Sequence, residues 1–451
     1  MPKALQTALL MLRELLFTAG PFALLAAALL WGAYTVLQPN PPRTVVLATG
    51  VAQGAYAEFG KRYATQLARH GITVQLRETQ GSAENLALLQ QPGSGVDLAF
   101  VQGGTWQKPA GADVADNPAG TADAPPLQSL GRMFHEPVWL FYRDDSAHRL
   151  AKAPQITRLA QLAGGTLNVG APGSGVPPLL QTLLAANRIP PGAISLQQLP
   201  TTPAVVDLLA GKIDALVLAS APESLMVQML LQTPGISLFN VAQAEAYSRR
   251  FPVLNPVLLP RGVVDLSRDL PPADVHLLAP TAALLARDGL HPALVQLFVQ
   301  AAQQVHGGAG WFQRKGDFPN ADDSEWPLAA EAQRFYRNGP PWLQRFLPFW
   351  LANLADRMWL ALLGIVAVLI PLSRVLPPLY QFRIRRRVFR WYAQLRTVED
   401  GMGQRPTSEL LAELADIDTH LARTTVPLSY ADELYALRGH INMVRQRLKA
   451  A

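Results

Sequence analysis

Between residues 44 and 220 one pattern occurs twice: a strand-length apolar run, a turn of small residues, an amphipathic helical stretch, and then the next strand. In the first series TVVLATG (44–50) leads to YAEFGKRYATQLARHG (56–71), ITVQLRET (72–79), SAENLALLQQ (82–91) and VDLAFVQ (96–102). In the second TLNVGAP (166–172) leads to VPPLLQTLLAANR (176–188), ISLQQLP (194–200), PAVVDLLAGK (203–212) and IDALVLAS (213–220). A polar insertion around 107–125 and a strand, VWLFYR (138–143), lie between them. Strands alternating with helices fit a largely parallel sheet with right-handed crossovers. Two such series predict an α/β domain of two lobes with a cleft between them.

Open α/β sheets take ligands at the carboxyl ends of their parallel strands. Those ends carry ATGVAQGAY (48–56), TQGSAENL (79–86) and FVQGGTW (100–106) in the first series. In the second they carry VGAPGSGV (169–176), LPTTP (199–203) and LASAPE (218–223). Ser82 reads as an N-cap, and Ser174 and Gly175 open a helix with Pro177 in its first turn. Helix N-termini would then face the cleft from both sides, which suits a carboxylate or another small anion. No loop tip carries Arg or Lys, so the expected site is polar and weakly charged.

Other chemistries find little support. GVAQGAY lacks the G-x-G-x-x-G spacing, and GAPGSG lacks the Lys-Ser/Thr of a P-loop. Ser174 has no G-x-S-x-G frame and reads as a ligand hydrogen-bond partner rather than a nucleophile. With no cysteine and no H-x-x-x-H or H-E-x-x-H among the eight histidines, neither a metal site nor a cofactor is expected. His135 and Glu136 offer a base and an acid but read as a hinge-side surface pair; Asp97 and Asp214 read as structural turn carboxylates. The net charge of +6 comes without a nucleic-acid recognition motif, and its densest run, RIRRR at 383–387, follows an apolar segment.

Two segments have membrane character. Residues 15–37 are uncharged and longer than a signal-peptide core, and no A-x-A site follows, which suggests an uncleaved anchor. Residues 358–373 are preceded by Trp342, Phe346, Phe349, Trp350 and Trp359, an interfacial aromatic belt, and followed by Arg374 and the 383–387 cluster. Basic residues flank the pair on the outer sides, so both termini are expected in the cytoplasm. The resulting division is an anchor at 1–40, an extracytoplasmic domain at 41–345, a second transmembrane helix at 346–380 and a cytoplasmic tail at 381–451. Lobe 1 takes about 44–140 and 255–335, and lobe 2 about 144–250. In the tail, apolar stripes at Leu410, Leu411, Leu414 and Ile417 and at Leu434, Leu437, Ile441, Val444 and Leu448 predict a helical hairpin broken at Pro427.

The runs TGVAQGAYAEFGKRYA, ETQGSAENLALLQ, VDLAFVQGG, LNVGAPGSG and GKIDALVLAS, in that order over residues 44–300, resemble the TAXI-type solute receptors of TRAP transporters. These belong to the type II periplasmic binding proteins. The resemblance implies a two-lobed domain at the periplasmic face of a bacterial inner membrane. It would close on a small organic anion, a carboxylate or amino acid, without catalysis, and deliver it to a TRAP-type permease. It also implies contacts from Gly50, Val51, Tyr56, Ser82, Asn85 and Gln102 in lobe 1, from Gly173, Ser174, Gly175 and Ser220 in lobe 2, and from Trp139 on the hinge side. Three features depart from the family: Gln53 in the first loop, the proline-rich stretch from 249 to 275, and the double anchoring with a cytoplasmic tail. The last admits an alternative, a ligand sensor or scaffold with its output in the tail.

Overall fold

The computed structural model describes residues 20, 22–37, 40–105, 126–322, 325–422 and 431–450. The insertion at 107–125, the basic flank at Lys3 and Arg13, the start of the first apolar segment and Pro427 lie outside the described residues. The chain forms two compact units, Asn40–Asn353 and Met1–Pro39 with Leu354–Ala451.

In chain order the strands are β1 (Thr44–Ala48), β2 (Thr73–Arg77), β3 (Leu98–Gln102), β4 (Leu127–His135), β5 (Val138–Arg143) and β6 (Thr166–Asn168). They continue with β7 (Ser195–Gln197), β8 (Ala215–Ala219), β9 (Ile236–Leu238), β10 (Asn255–Leu259), β11 (Val275–Ala279) and β12 (Thr281–Arg287). The helices are α1 (Phe22–Leu37), α2 (Ala55–Ala68), α3 (Ser82–Gln90), the single turn α4 (Asp144–Ser146), α5 (Val176–Ala186), α6 (Thr201–Leu209) and α7 (Leu225–Leu231). After them come α8 (Ala244–Arg250), α9 (Pro292–His306), α10 (Ala330–Asn338), α11 (Phe349–Asp400), α12 (Thr407–Ala422) and α13 (Ala431–Ala450).

Two five-stranded sheets organise Asn40–Asn353, in the orders β2-β1-β3-β12-β4 and β7-β6-β8-β5-β9. The expected parallel series are present: β1 pairs in parallel with β2 and β3, and β6 with β7 and β8. Each sheet is nevertheless mixed. β12 runs antiparallel to β3 and β4, and β5 runs antiparallel to β8 and β9. The reason is the route of the chain. A strand that arrives from the other lobe enters at the cleft end, opposite to strands that finish there. The crossings lie at Glu136–Pro137 and Pro280, side by side, with the Glu136 N–H donating to Pro280 O at 2.8 Å.

The segmentation expected from sequence shifts at one point. The β10–β11 ribbon packs its Val257, Leu259, Val275 and Leu277 with Trp139, Phe141, Leu216 and Leu218 of the second sheet. The return to lobe 1 therefore falls at Thr281, not at 255.

Helix α2 shows how periodicity sets the first core. Tyr56, Phe59, Tyr63 and Leu67 fall on one face and pack with Phe100, Met133, Phe134, Leu294 and Phe298. Gly60 sits on that face because a Cβ there would lie 2.7 Å from the Thr49 methyl carbon. The helix can then lie directly against the end of β1.

Of the two apolar segments, α11 holds the one helix among the described residues long and apolar enough to cross a membrane, Phe349–Arg374. α1 is a shorter apolar helix, so the described residues give one span where two were expected. Beyond that span α11 continues to Asp400, and its Leu395 and Val398 join Leu410, Leu414, Ile417, Leu437, Ile441 and Val444 in one buried cluster. The tail is thus a three-helix cluster rather than a two-helix hairpin. The stripes on α12 and α13 need a third apolar surface to be covered, and the last turns of α11 supply it.

Candidate functional site

A cavity of about 370 Å³ lies between the two sheets of Asn40–Asn353. Lobe 1 supplies the loop after β1 (Gly50–Tyr56), the loop after β2 (Glu78 and Gln80–Ser82) and Gln102 at the end of β3. Lobe 2 supplies Gly170, Ala171 and Ser174–Val176 after β6, Pro200–Thr202 after β7, and Val217–Ser220 with Ser224 and Met226 from β8 onward. Glu136 enters from the hinge crossing. These loops are those at the carboxyl ends of the parallel strands. Helices α2, α3, α5 and α6 begin at this wall, with Gly54, Gly81, Gly175 and Pro200 as their caps. The first-turn N–H groups of a helix have no intrahelical partner and carry its positive pole.

The lobes meet at the rim of the cavity. The Glu84 N–H donates to Gly173 O at 3.1 Å. A Cβ on Gly173 would come within 2.8 Å of Gln80 Cβ, and one on Gly81 within 3.2 Å of Ser174 Cα. Gly175 faces the Gln102 amide in the same way, at 2.5 Å from a would-be Cβ to Oε1. Glycine at 173 allows the backbones of the two lobes to touch, and glycine at 175 leaves room for the Gln102 side chain.

Eight of the eleven residues singled out from sequence line the cavity: Gly50, Val51, Tyr56, Ser82, Gln102, Ser174, Gly175 and Ser220. The Ser174 hydroxyl donates to Ala171 O at 2.8 Å, closing its own turn and leaving its lone pairs for a ligand. Ser82 is not the N-cap; Gly81 is, and the Ser82 hydroxyl instead accepts from the Gln102 N–H at 2.7 Å. Gly173 is at the contact between lobes just described.

Asn85 and Trp139 take structural roles. Asn85 is wholly buried, donates to Thr49 O and Phe100 O, and accepts from the Thr79 hydroxyl, so it ties together the ends of β1, β2 and β3. Trp139 is also wholly buried, and its indole N–H donates to Ser220 O at 2.7 Å. Its position next to the hinge puts it under the cavity floor, not in its wall. Asn85→Ala takes a donor from the Phe100 carbonyl, while the Thr79 hydroxyl still reaches Thr49 O, and the expected cost is about 1–3 kcal/mol in chemical denaturation. Ligand affinity of the folded protein should change less than about threefold, which calorimetry of the same variant checks.

Glu136 is the residue that sequence reading misplaced. It is 4% exposed, not on the surface, and accepts from the Tyr56 hydroxyl at 2.7 Å. Burial pushes its carboxyl up to about 7, and pushes the Tyr56 phenol well above its usual value. The signal available in the sequence was HEP between two apolar runs, a polar break where the chain changes lobes. His135 points elsewhere, with its ring edge-on to Phe318, and burial lowers it to about 4. Asp97 and Asp214 are structural as expected: Asp97 accepts from the Val46 N–H, and Asp214 accepts from the Thr166 N–H, Ser146 and Arg149.

Among the described residues the cavity lining contains no Lys, Arg or His, and its carboxylates are Glu78 and Glu136. The Ala52 N–H donates to Glu78, so part of the first loop's donor capacity is already used.

The NMT1-like family matches residues 47–338, which cover both lobes and the hinge. The chain belongs to the NMT1-like family. Among curated protein sequences none matches this NMT1-like chain. Solved structures similar to it include the alkanesulfonate-binding protein SsuA from Xanthomonas axonopodis pv. citri bound to MOPS, with 16% identity and a TM-score of 0.36 over 59% of this chain and 74% of that one. The periplasmic aliphatic sulphonate binding protein SsuA from Escherichia coli has 15% identity and a TM-score of 0.36 over 73% of this chain and 83% of that one. The BenM effector binding domain with benzoate has 11% identity and a TM-score of 0.37 over 59% and 93%. The NMT1-like chain thus has a mixed α/β domain built around two five-stranded sheets.

Proposed function

We propose that the domain at 41–345 is a membrane-anchored, extracytoplasmic receptor that captures a small organic ligand by closing its two lobes. The observation that carries this reading is the cavity at the carboxyl ends of both sets of parallel strands, crossed behind by paired hinge segments. Its volume of about 370 Å³ fits a metabolite-sized ligand. Four helix N-termini at the cavity, two from each lobe, favour a ligand with a carboxylate or similar acidic end. Hinge closure would hold it between backbone N–H groups, Ser and Gln side chains and Tyr56.

The finer reading is a TAXI-type receptor that hands its ligand to a TRAP-type permease, with the domain on the periplasmic side and both termini cytoplasmic. Its support is the set of sequence motifs and the disposition of basic residues about the apolar segments. Titrating the full chain in detergent with organic acids and amino acids tests the receptor function. Ligand at a hundred times its Kd adds about 2.7 kcal/mol, a melting shift of several degrees. No stabilisation by any of these compounds would count against a receptor.

A second reading, a ligand sensor, is favoured by one feature: α11 runs unbroken from Phe349 through the apolar span into the helical cluster of the tail. Removing 388–451 separates the two. A transport receptor keeps uptake without the tail, and a sensor loses its response.

A further inference from the structure

The charge pattern of the cavity narrows the ligand further than its size and helix ends do. Glu136 is the deepest ionisable group in the lining, and one of its oxygens, Oε2, is taken by Tyr56. Among the described residues no donor reaches its other oxygen and no cationic side chain lines the cavity. A buried carboxylate without a cation is costly, since burial penalises the charged form unless a partner restores it. That cost is the reason its carboxyl is raised to about 7. The Tyr56 ring, stacked on Phe100 at 5.2 Å, holds the hydroxyl in place and so fixes the direction in which the free oxygen points.

We propose that Glu136 is the specificity-determining contact of the cavity, receiving an ammonium or other cationic N–H group of the ligand. The inference rests on the receptor reading above and specifies the ligand class for it. A ligand with an acidic end at the helix N-termini and an amino group at Glu136 neutralises both poles of the site. A compound that presents carboxylates at both ends meets Glu136 as a like charge and is rejected. The site thereby selects amino acids and related zwitterions over the plain organic anions that the sequence equally admits.

The test uses the full chain in detergent and probe pairs that differ only in an amino group: glutamate against glutarate, aspartate against succinate, and 4-aminobutyrate against butyrate. Melting shifts and calorimetric affinities are compared in the wild type, Glu136→Gln and Tyr56→Phe. The expected result is binding of at least one amino member, with its deaminated partner at least about tenfold weaker. Glu136→Gln should reduce that preference by tenfold or more, and Tyr56→Phe, which releases the carboxylate but keeps its charge, should reduce it less.

Wild-type protein supplies a second readout. Affinity for the amino member should fall about tenfold per pH unit below pH 7, as Glu136 takes up a proton. The other ionisable groups facing it across the cavity are Tyr56 from α2 and Glu78 after β2; His135 precedes it in the chain and lines a separate cavity. Equal or tighter binding of the deaminated member, or an amino preference unchanged in Glu136→Gln, overturns the proposal and leaves the receptor standing. Binding of neither member of any pair overturns the receptor reading and this inference with it.

Discussion

Gly173→Val should abolish ligand-induced stabilisation while leaving the empty protein as stable as the wild type. Gly173 is in the loop after β6, and its carbonyl accepts from the Glu84 N–H of the opposite lobe. A Cβ at that position would lie 2.8 Å from Gln80 Cβ and 3.3 Å from Glu84 Cβ, both close to the backbone and unable to swing aside. Its own φ is not in the left-handed region, so valine is tolerated within lobe 2. The strain falls only on the closed form. Ligand binding that depends on closure then loses affinity by the full cost of prying the rim apart, at least about a hundredfold if that cost reaches 2.8 kcal/mol. Calorimetry on the full chain checks it, with the melting temperature of the empty variant as the folding control. Unaltered affinity in Gly173→Val would show that this contact plays no part in binding.

The second large effect is loss of stability in acid, centred on His306. This side chain is 3% exposed, its ring stacks on Phe134 at 5.2 Å and meets Phe59 edge-on at 4.5 Å, and its Nε2 has no protein partner. Burial and the nearby Arg62 lower it to about 3, against 6.5 in an unfolded chain. Folding holds it neutral, so stability is lost as pH falls from 6.5 toward 3, because the unfolded state binds the extra proton. His135, lowered to about 4, adds to the loss in the same window. Glu136 acts in the opposite sense. Its carboxyl is raised from 4.5 to about 7, so a folding penalty present above pH 7 is relieved as pH falls from 7 to 4.5. Below 4.5 that relief is complete and only the histidine loss continues. Denaturation of the full chain at pH 7.5, 5.5 and 4 should show a steepening fall, on the order of a few kcal/mol by pH 4. His306→Phe fits the same aromatic cluster and should remove about half of the histidine part, His135 supplying the rest. An equal fall in the variant would contradict the assignment.

The repeated strand–turn–helix rhythm made most of the two lobes legible, because each helix carries a 3.6-residue apolar stripe and each central strand is an unbroken apolar run. What it could not reveal was β12. TAALLAR reads as an ordinary apolar segment, and only the hinge crossing at Pro280 makes it antiparallel and central in the first sheet. The turns at the strand ends line the cavity, since backbone position follows from topology. Side-chain roles followed less well. Asn85 and Trp139 sit at the same strand ends, yet they turn into the interior because backbone carbonyls there need donors. Glu136 escaped for the opposite reason. A carboxylate beside a histidine looks like solvent-facing polarity in sequence, and only the meeting of α2, the hinge and both lobes buries it against Tyr56. The tail's third helix was hidden because the apolar residues Leu395 and Val398 lie at the end of a 52-residue helix whose earlier part reads as a membrane span.

The central claim is closure of two lobes on a ligand. The chain has no cysteine, so labels on introduced cysteines report unambiguously on chosen sites. Lys61→Cys on α2 and Gln181→Cys on α5 put one spin label on the exposed face of each lobe. Pulsed electron resonance on the full chain then measures the distance between lobes with and without an amino acid that raises the melting temperature. Two-lobe closure predicts a broad or longer distribution without ligand that collapses to a single shorter distance with it. A distribution unchanged at saturating ligand would contradict the account.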